Sequence, residues 1–149
     1  MNKWNHVIAA LAVSVSATFA QASTIDDASG MVDAALAEIK AKGLDGAIQD
    51  FNAGGKWVKG GTYVVVVRFD GQMLAHSANG KIVGKNMLEA KDAGGKPFVQ
   101  ENIAAIKVTG NAKVDLRWSN PTTKQIADAV MISKRVPGQE VYVGSVAFK

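Results

Sequence analysis

The run from Thr62 to Phe69, TYVVVVRF, restricts the fold of this chain more than any other feature. It is short and consists almost entirely of β-branched and aromatic residues, which is typical of a buried strand. Asp70-Gly71 follows directly, and this dipeptide is favoured in two-residue hairpin turns. Residues 72–77 then return as the partner strand. The sequence therefore predicts an antiparallel hairpin in the middle of the molecule.

Helices are predicted on both sides of this hairpin. Apolar residues recur at helical spacing after Thr24, and Gly43 ends that helix before a second short piece that closes at Asn52. A further helix begins at Pro97 and ends at Gly110. Three more strands are predicted at Lys113–Trp118, Ile126–Val136 and Val141–Phe148. This order predicts the α+β class, with helices packed on an antiparallel sheet.

The first 22 residues have the pattern of a cleavable signal peptide. Lys3 supplies a positive charge, an apolar run extends from Val7 to Ala20, and Ala20-Gln21-Ala22 is a small-x-small cleavage site. A membrane anchor would need about 20 apolar residues, and this run is shorter. We therefore expect a signal peptide at 1–22, a single domain at 23–149 and a periplasmic or secreted protein. No later segment has membrane-spanning length, so no membrane span is expected after cleavage.

The composition excludes several classes of function. The chain of 149 residues contains no cysteine, so thiol catalysis, thiolate metal sites and covalent haem attachment are excluded. Its basic residues are dispersed and not clustered with aromatics, which argues against nucleic acid as a partner. After cleavage His76 is the one remaining histidine, and Ser77 beside it would point to the opposite face of a strand. We therefore expect neither an enzyme, nor a metal, nor a cofactor.

The hairpin places two polar aromatic side chains on one face of the sheet. If Phe69 pairs with Gln72, Val65 lies opposite His76, and Tyr63 is the diagonal neighbour of His76. The pair is either a satisfied feature of the core or the polar part of a small-molecule pocket. The same register completes this face with Val67, Leu74 and Phe69. Alternation along the later strands adds two further wall residues, Trp118 and Met131.

Six segments in order resemble the single Cache domain family, in its type 2 form. They are DGQMLAHS at 70–77, VGKN at 83–86, KDAGGKPF at 91–98, WSNPTTK at 118–124, KRVPG at 134–138 and VG at 143–144. Residues 43–47 and 60–64 also resemble the helical arm and first strand of stand-alone secreted members. The resemblance extends over essentially all of the chain after residue 22.

The resemblance implies a PAS-like fold: a long N-terminal helix, a central antiparallel sheet, and a helical or loop lid over a pocket. Members of the family are extracytoplasmic sensor modules that bind small molecules, often short carboxylates. The chain is accordingly predicted to be an exported ligand-binding module without its own output domain. The alternative is an interaction subunit that docks on a membrane sensor protein and fills its pocket with its own side chains.

The resemblance implies that the middle connection covers the pocket, and residues 84–86 follow the hairpin closely enough to form this cover. Lys85 and Asn86 are therefore expected to close over Tyr63 and His76, with Lys85 adding a charge for an anionic ligand. The chain departs from the family pattern at three positions, where Ala129 replaces a common Lys, Ile132 a common Tyr and Leu116 a frequent aromatic residue. These departures predict a more apolar pocket, with either weaker anion binding or a less polar ligand.

Overall fold

The structure is a computed structural model that describes residues 23–149; the predicted signal peptide at 1–22 lies outside the described residues. The two helices of more than one turn are α1 (Ile25–Asn52) and α2 (Phe98–Thr109). The strands are β1 (Val58–Lys59), β2 (Thr62–Arg68), β3 (Met73–His76), β4 (Asn111–Ser119), β5 (Ile126–Arg135) and β6 (Val141–Phe148). Single 3-10 turns lie at Gly55–Trp57 and Gly80–Ile82.

The strands of this part of the chain form one antiparallel sheet. Its order is β1-β2-β6-β5-β4, and β3 also pairs with β2. A long N-terminal helix on an antiparallel sheet confirms the predicted α+β class. Neither helix between residues 23 and 149 combines the length and the apolar character needed to cross a membrane.

α1 begins and bends where the sequence predicts. Thr24 and Asp27 form a capping box, in which each side chain accepts a hydrogen bond from the backbone N–H of the other residue. Gly43 adopts φ 79° inside the helix, a conformation that most residues avoid, and so divides α1 into two helical segments. The second segment ends at Asn52, as predicted.

β2 separates two apolar layers because successive side chains of a strand point to opposite faces. Val64 and Val66 are fully buried against α1. Tyr63, Val65 and Val67 face the other side, where α2 and the connection after β3 cover the sheet. The continuous apolar run at 62–69 is therefore explained by burial on both faces.

The turn of the β2–β3 hairpin is one residue longer than the sequence predicts. The Arg68 N–H donates to the Gln72 carbonyl at 3.0 Å, which leaves three residues, 69–71, in the loop. The predicted pairing of Phe69 with Gln72 is therefore wrong. Val65 nevertheless pairs with His76, as predicted.

A β-bulge explains why the longer turn does not change that pairing. Val66 pairs with Ala75 and Val67 with Met73, so Leu74 is an extra residue on β3. The bulge turns Leu74 toward the layer that packs against α1, and Met73 lies opposite Val67 in its place. The prediction that Leu74 faces Tyr63 and His76 is therefore wrong, because it assumed an uninterrupted register.

Candidate functional site

A cleft of about 530 Å³ opens on the sheet face opposite α1. β2 and β3 supply its floor, the connection after β3 forms one wall, and the end of β4 with the following turn forms another. Its lining residues are Tyr63, His76, Ala78, Asn79, Lys81, Ile82, Met87, Trp118, Ser119, Pro121 and Lys124. The volume is within the range of about 300–1,000 Å³ that is usual for small-molecule sites.

His76 presents a hydrogen-bond donor to this cleft. Its Nδ1 accepts hydrogen bonds from the backbone N–H groups of Asn79 at 2.9 Å and Ala78 at 3.3 Å. A neutral imidazole has one donor and one acceptor nitrogen, so its proton is on Nε2. Burial lowers the pKa of His76 to about 4, which keeps the ring neutral at pH 7. The residue therefore offers an uncharged N–H donor and no free basic nitrogen.

Tyr63 stacks against His76 and provides a second donor. The two rings lie 4.7 Å apart between centroids, with 23° between their planes. Burial raises the pKa of the Tyr63 phenol, and the neighbouring Trp118 indole, a hydrogen-bond donor, partly opposes that increase. The phenol is consequently protonated at neutral pH. The Trp118 ring itself packs on Phe98, 5.0 Å away between centroids.

Below the cleft lies a much smaller apolar chamber of about 20 Å³. It shares Tyr63, His76 and Trp118 with the cleft and is otherwise lined mainly by aliphatic, thioether and aromatic side chains. Met131 and Leu116 are among them. This volume is about that of one water molecule or methyl group. The chamber can therefore accept only the tip of a ligand whose main body occupies the cleft.

The charged side chains that line the cleft are both cationic. Lys81 belongs to the 3-10 turn after β3, and Lys124 belongs to the turn between β4 and β5. No carboxylate side chain is among the described residues that line the cleft. Together with the neutral donors of the floor, this arrangement favours a ligand that is an acceptor or an anion.

The structure brings four of the six predicted site residues together. Tyr63, His76 and Trp118 line both the cleft and the chamber, and Met131 lines the chamber. Lys85 and Asn86 do not line either space. The prediction that Lys85 and Asn86 close over the pocket is therefore wrong. The reason is the path that the chain takes after β3.

The segment around residue 85 runs along β3 and does not fold over the cleft. The backbone N–H of Met73 donates to the Lys85 carbonyl at 2.9 Å, which leaves the Lys85 side chain exposed to solvent. The Asn86 amide donates to the Asp70 carbonyl at 2.9 Å and accepts from the Leu88 N–H at 2.9 Å. Asn86 thus fastens the hairpin turn to the connection.

The departures at β4 and β5 have unequal consequences. Ile132 packs against Ala28, Val130 and Ala147 on the side of the sheet that α1 covers, so it cannot affect the polarity of the cleft. Ala129 and Leu116 pair with each other in the layer that faces α2, and Leu116 lines the chamber. The cationic groups come from the rim of the cleft, which the expectation of a weakly polar pocket did not include.

Asp92 fixes the connection to the edge of the sheet. Its buried carboxylate accepts hydrogen bonds from the backbone N–H groups of Gly94, Lys96 and Arg117, each at 2.8 Å. These hydrogen bonds, the one from Arg117 first among them, lower the pKa of Asp92. Because Arg117 precedes Trp118, the contact also holds the wall of the cleft in place.

The contacts of Ser77 and His76 show how the polar groups near the cleft are engaged. Ser77 Oγ donates to the Trp57 carbonyl at 2.8 Å and accepts from the Val64 N–H at 2.8 Å, so it is engaged away from His76. The Nε2 proton leaves His76 without a lone pair for a metal ion in the cleft. Between residues 23 and 149, no three His, Asp or Glu side chains are grouped to hold a metal.

Sequence reasoning missed Asn79, Lys81, Met87 and Lys124 as lining residues. Turn-forming dipeptides mark the loops that carry the two lysines, Asn79-Gly80 before Lys81 and Asn120-Pro121 before Lys124. A turn signal gives the position of a loop along the chain and does not show which strand end it lies beside. The turn residues therefore predicted the two loops but not that these loops line the cleft.

Comparisons with known proteins agree with this architecture. The family model described as "Single Cache domain 2" matches residues 12–148. The comparison with curated proteins finds no match. A "Periplasmic sensor domain of chemotaxis protein" superposes with a TM-score of 0.64 at 20% identity, over 83% of this chain and 88% of that one.

Two further solved structures are similar to the chain. A methyl-accepting chemotaxis protein from Vibrio parahaemolyticus RIMD 2210633 has a TM-score of 0.69 at 17% identity, over 83% of this chain and 86% of that one. The third, described as "Structural basis for carboxylic acid recognition by a Cache chemosensory domain", has a TM-score of 0.63 at 19% identity over the same fractions. At these identities the likeness shows a common fold.

Proposed function

Because the chain belongs to the single Cache domain 2 family, we propose that it is an exported sensor-type module that binds a small organic anion. The observation that carries the proposal is the cleft above Tyr63 and His76. Its floor offers neutral donors, its rim offers two lysines, and within residues 23–149 no carboxylate side chain lines it. A carboxylate is the common small metabolite group that satisfies several such donors at once.

The mode of recognition follows from the protonation states of the floor. The Tyr63 phenol and the His76 Nε2–H are both donors at neutral pH, so each can give one hydrogen bond to a carboxylate oxygen. The Trp118 indole N–H donates to the Tyr63 phenol oxygen, which leaves the phenol O–H available to the ligand. The ligand carboxylate exchanges its hydration for these fixed donors, and any small apolar group on the ligand can reach the chamber.

A thermal-shift screen of the purified protein tests this proposal. The panel contains acetate, propionate, butyrate and succinate, with amino acids and amines as other classes. Binding to the folded state must raise the melting temperature, because linkage requires it. If no organic acid in the panel raises the melting temperature, the proposal fails.

The site is then tested by calorimetry with the best acid of that panel. Tyr63→Phe and His76→Ala each remove one donor, and we expect binding to weaken about five- to a hundredfold. Lys85→Gln is the matched control, because this exposed lysine lies in the adjacent segment outside the cleft. Parent-like affinity in both floor variants would place the ligand elsewhere.

The alternative function, docking to a membrane sensor with a self-filled pocket, has one observation in its favour. The inner chamber of about 20 Å³ is nearly filled by its own lining. The cleft above it is open and polar, which favours a ligand. The same screen separates the two functions, because a self-filled protein would show no ligand-dependent rise in melting temperature.

Export is a separate part of the proposal and has its own test. Cleavage after Ala22 would give a mature protein that begins at Ser23. Mass spectrometry of the protein from the cell envelope is expected to find this N-terminus. Recovery of a form that retains Met1 in the membrane fraction would contradict it.

A further inference from the structure

The donors of the cleft lie at two levels. Tyr63 and His76 form the floor and are neutral. Lys81 and Lys124 form the rim, and each comes from a different wall. A cation attracts an anion more strongly than a neutral donor does, so the rim and the floor differ in how strongly they bind a carboxylate. A short ligand with one carboxylate can satisfy only one of them.

The rim lysines have no protein counter-ion within the described part of the chain. Four other lysines, Lys42, Lys56, Lys134 and Lys149, pair with carboxylates. Lys81 and Lys124 form no ion pair in residues 23–149, and no acidic side chain lines the cleft there. Two like charges at one opening raise the local positive potential, which an anion between them would neutralise.

Lys124 is held in an uncommon backbone conformation. Its φ of 61° makes it the one non-glycine residue of positive φ among residues 23–149. The turn fixes it there, because the Lys124 N–H donates to the Asn120 carbonyl at 2.8 Å and the Asn120 side chain accepts from the Thr122 N–H at 2.8 Å. Non-glycine residues in this region are rare and concentrate at functional sites. The lysine side chain at this strained position lines the cleft.

We propose that the ligand is a dicarboxylate, whose inner carboxylate binds the floor and whose outer carboxylate binds between Lys81 and Lys124. The inference rests on the proposed function and specifies the substrate class of the same cleft. The volume of about 530 Å³ leaves room for both carboxylates and a short chain between them. Lys81 and Lys124 are then the residues that distinguish a dicarboxylate from a monocarboxylate.

Calorimetry on matched acids tests this assignment. Butyrate and succinate share a four-carbon chain, as valerate and glutarate share a five-carbon chain, and each pair differs in one terminal carboxylate. We expect the parent protein to bind the better dicarboxylate at least about tenfold more tightly than its matched monocarboxylate. The affinity for the dicarboxylate should also decrease as salt is added, because the rim is exposed.

Variants of the rim localise the effect. Lys81→Gln and Lys124→Asn should each weaken dicarboxylate binding about three- to tenfold and change monocarboxylate binding by less than about twofold. Asn is chosen at position 124 because it tolerates positive φ, so that the turn is kept. Lys85→Gln removes one positive charge nearby, outside the cleft, and should leave both affinities unchanged.

Each other outcome overturns the proposal. Equal affinity within both matched pairs in the parent protein shows that the rim does not select dicarboxylates. Equal losses for both acids in the lysine variants show a general electrostatic attraction in place of an outer subsite. Binding of no acid in the panel overturns the proposed function as well, whereas binding of a monocarboxylate without a gain for its matched dicarboxylate overturns this inference alone.

Discussion

The two faces of the sheet share the same strands but are built from different chemistry. On the α1 face, Val64 and Val66 pack against Val32, Ala35 and Phe51, all fully buried and apolar. On the other face, Tyr63 and His76 are also buried, yet each carries a polar atom toward an open cleft. Neighbouring residues of β2 thus belong to a closed core and to a ligand site.

This difference indicates that the α1 face mainly stabilises the fold and that the cleft face mainly serves binding. A polar group buried without a full set of partners costs stability, so the cleft face contributes less to folding than its buried area suggests. The α1 face packs mainly apolar side chains and stabilises the sheet through their burial, although the buried hydroxyls of Thr62 and Ser145 on this face have no hydrogen-bond partner within residues 23–149. Substitutions on the two faces should therefore separate folding from binding.

The largest expected effect is on the α1 face. Phe51 is fully buried and meets Trp57 edge-on, with ring centroids 4.7 Å apart. Phe51→Ala should lower the free energy of unfolding by about 3–5 kcal/mol, as for other buried aromatic side chains. Urea denaturation measures this value. Tyr63→Phe is the matched aromatic change on the cleft face and should cost less than about 1.5 kcal/mol; equal costs would contradict this difference between the faces.

An intermediate effect is expected from acid on the cleft face. Burial lowers the pKa of His76 from its ordinary value of 6.5 to about 4 in the folded protein, so the unfolded chain binds more protons between these values. Stability should therefore be complete above pH 6.5 and decrease as the pH falls toward 4, by about 2–3 kcal/mol. Denaturation of the parent and His76→Gln at pH 7 and 4.5 measures it.

The same titration has an internal control. Asp92 has a lowered pKa, so its contribution is present above the ordinary value of 3.8 and is lost only as the pH falls below it. Its loss therefore comes after that of His76. An imidazole resonance of His76 that titrates near 6.5 would show that burial does not act on this ring as described.

The smallest effect is expected where the faces are linked. Asn52, at the end of α1, accepts from the His76 N–H at 3.0 Å and donates to the Leu74 carbonyl at 3.3 Å. Asn52→Ala should cost about 1 kcal/mol and shift the His76 amide resonance. Gln49→Ala, an exposed amide on the same helix, is the control. An unchanged His76 resonance would mean that the faces are independent at this point.

Much of the fold could be predicted because its signals are local. The helix break at Gly43, the helix end at Gly110 and the strand at Thr62 each depend on residues close in sequence. Side-chain alternation also predicted that Tyr63 and His76 share a face. These features follow from backbone preferences and strand periodicity.

The β2–β3 hairpin has two features that local sequence signals did not predict, its turn length and its bulge. Asp70-Gly71 correctly indicated a turn, but not its length, because the Phe69 N–H donates to Glu140 of the β5–β6 connection at 2.9 Å. No local sequence pattern marks the position of the bulge at Leu74. The extra residue in the turn and the extra residue at the bulge compensated each other. The pairing of Val65 with His76 was therefore predicted correctly although the assumed register was regular.

The sequence by itself determined the two long helices, the strands other than β1 and the polar aromatic pair at the floor of the cleft, because neighbouring residues fix helix ends and strand faces. Only the tertiary structure decided that Lys81 and Lys124 form the rim while Lys85 and Asn86 do not. It also fixed the tautomer of His76 through two backbone N–H groups. The reason is that a loop's position depends on hydrogen bonds to distant strands, which residue spacing does not encode.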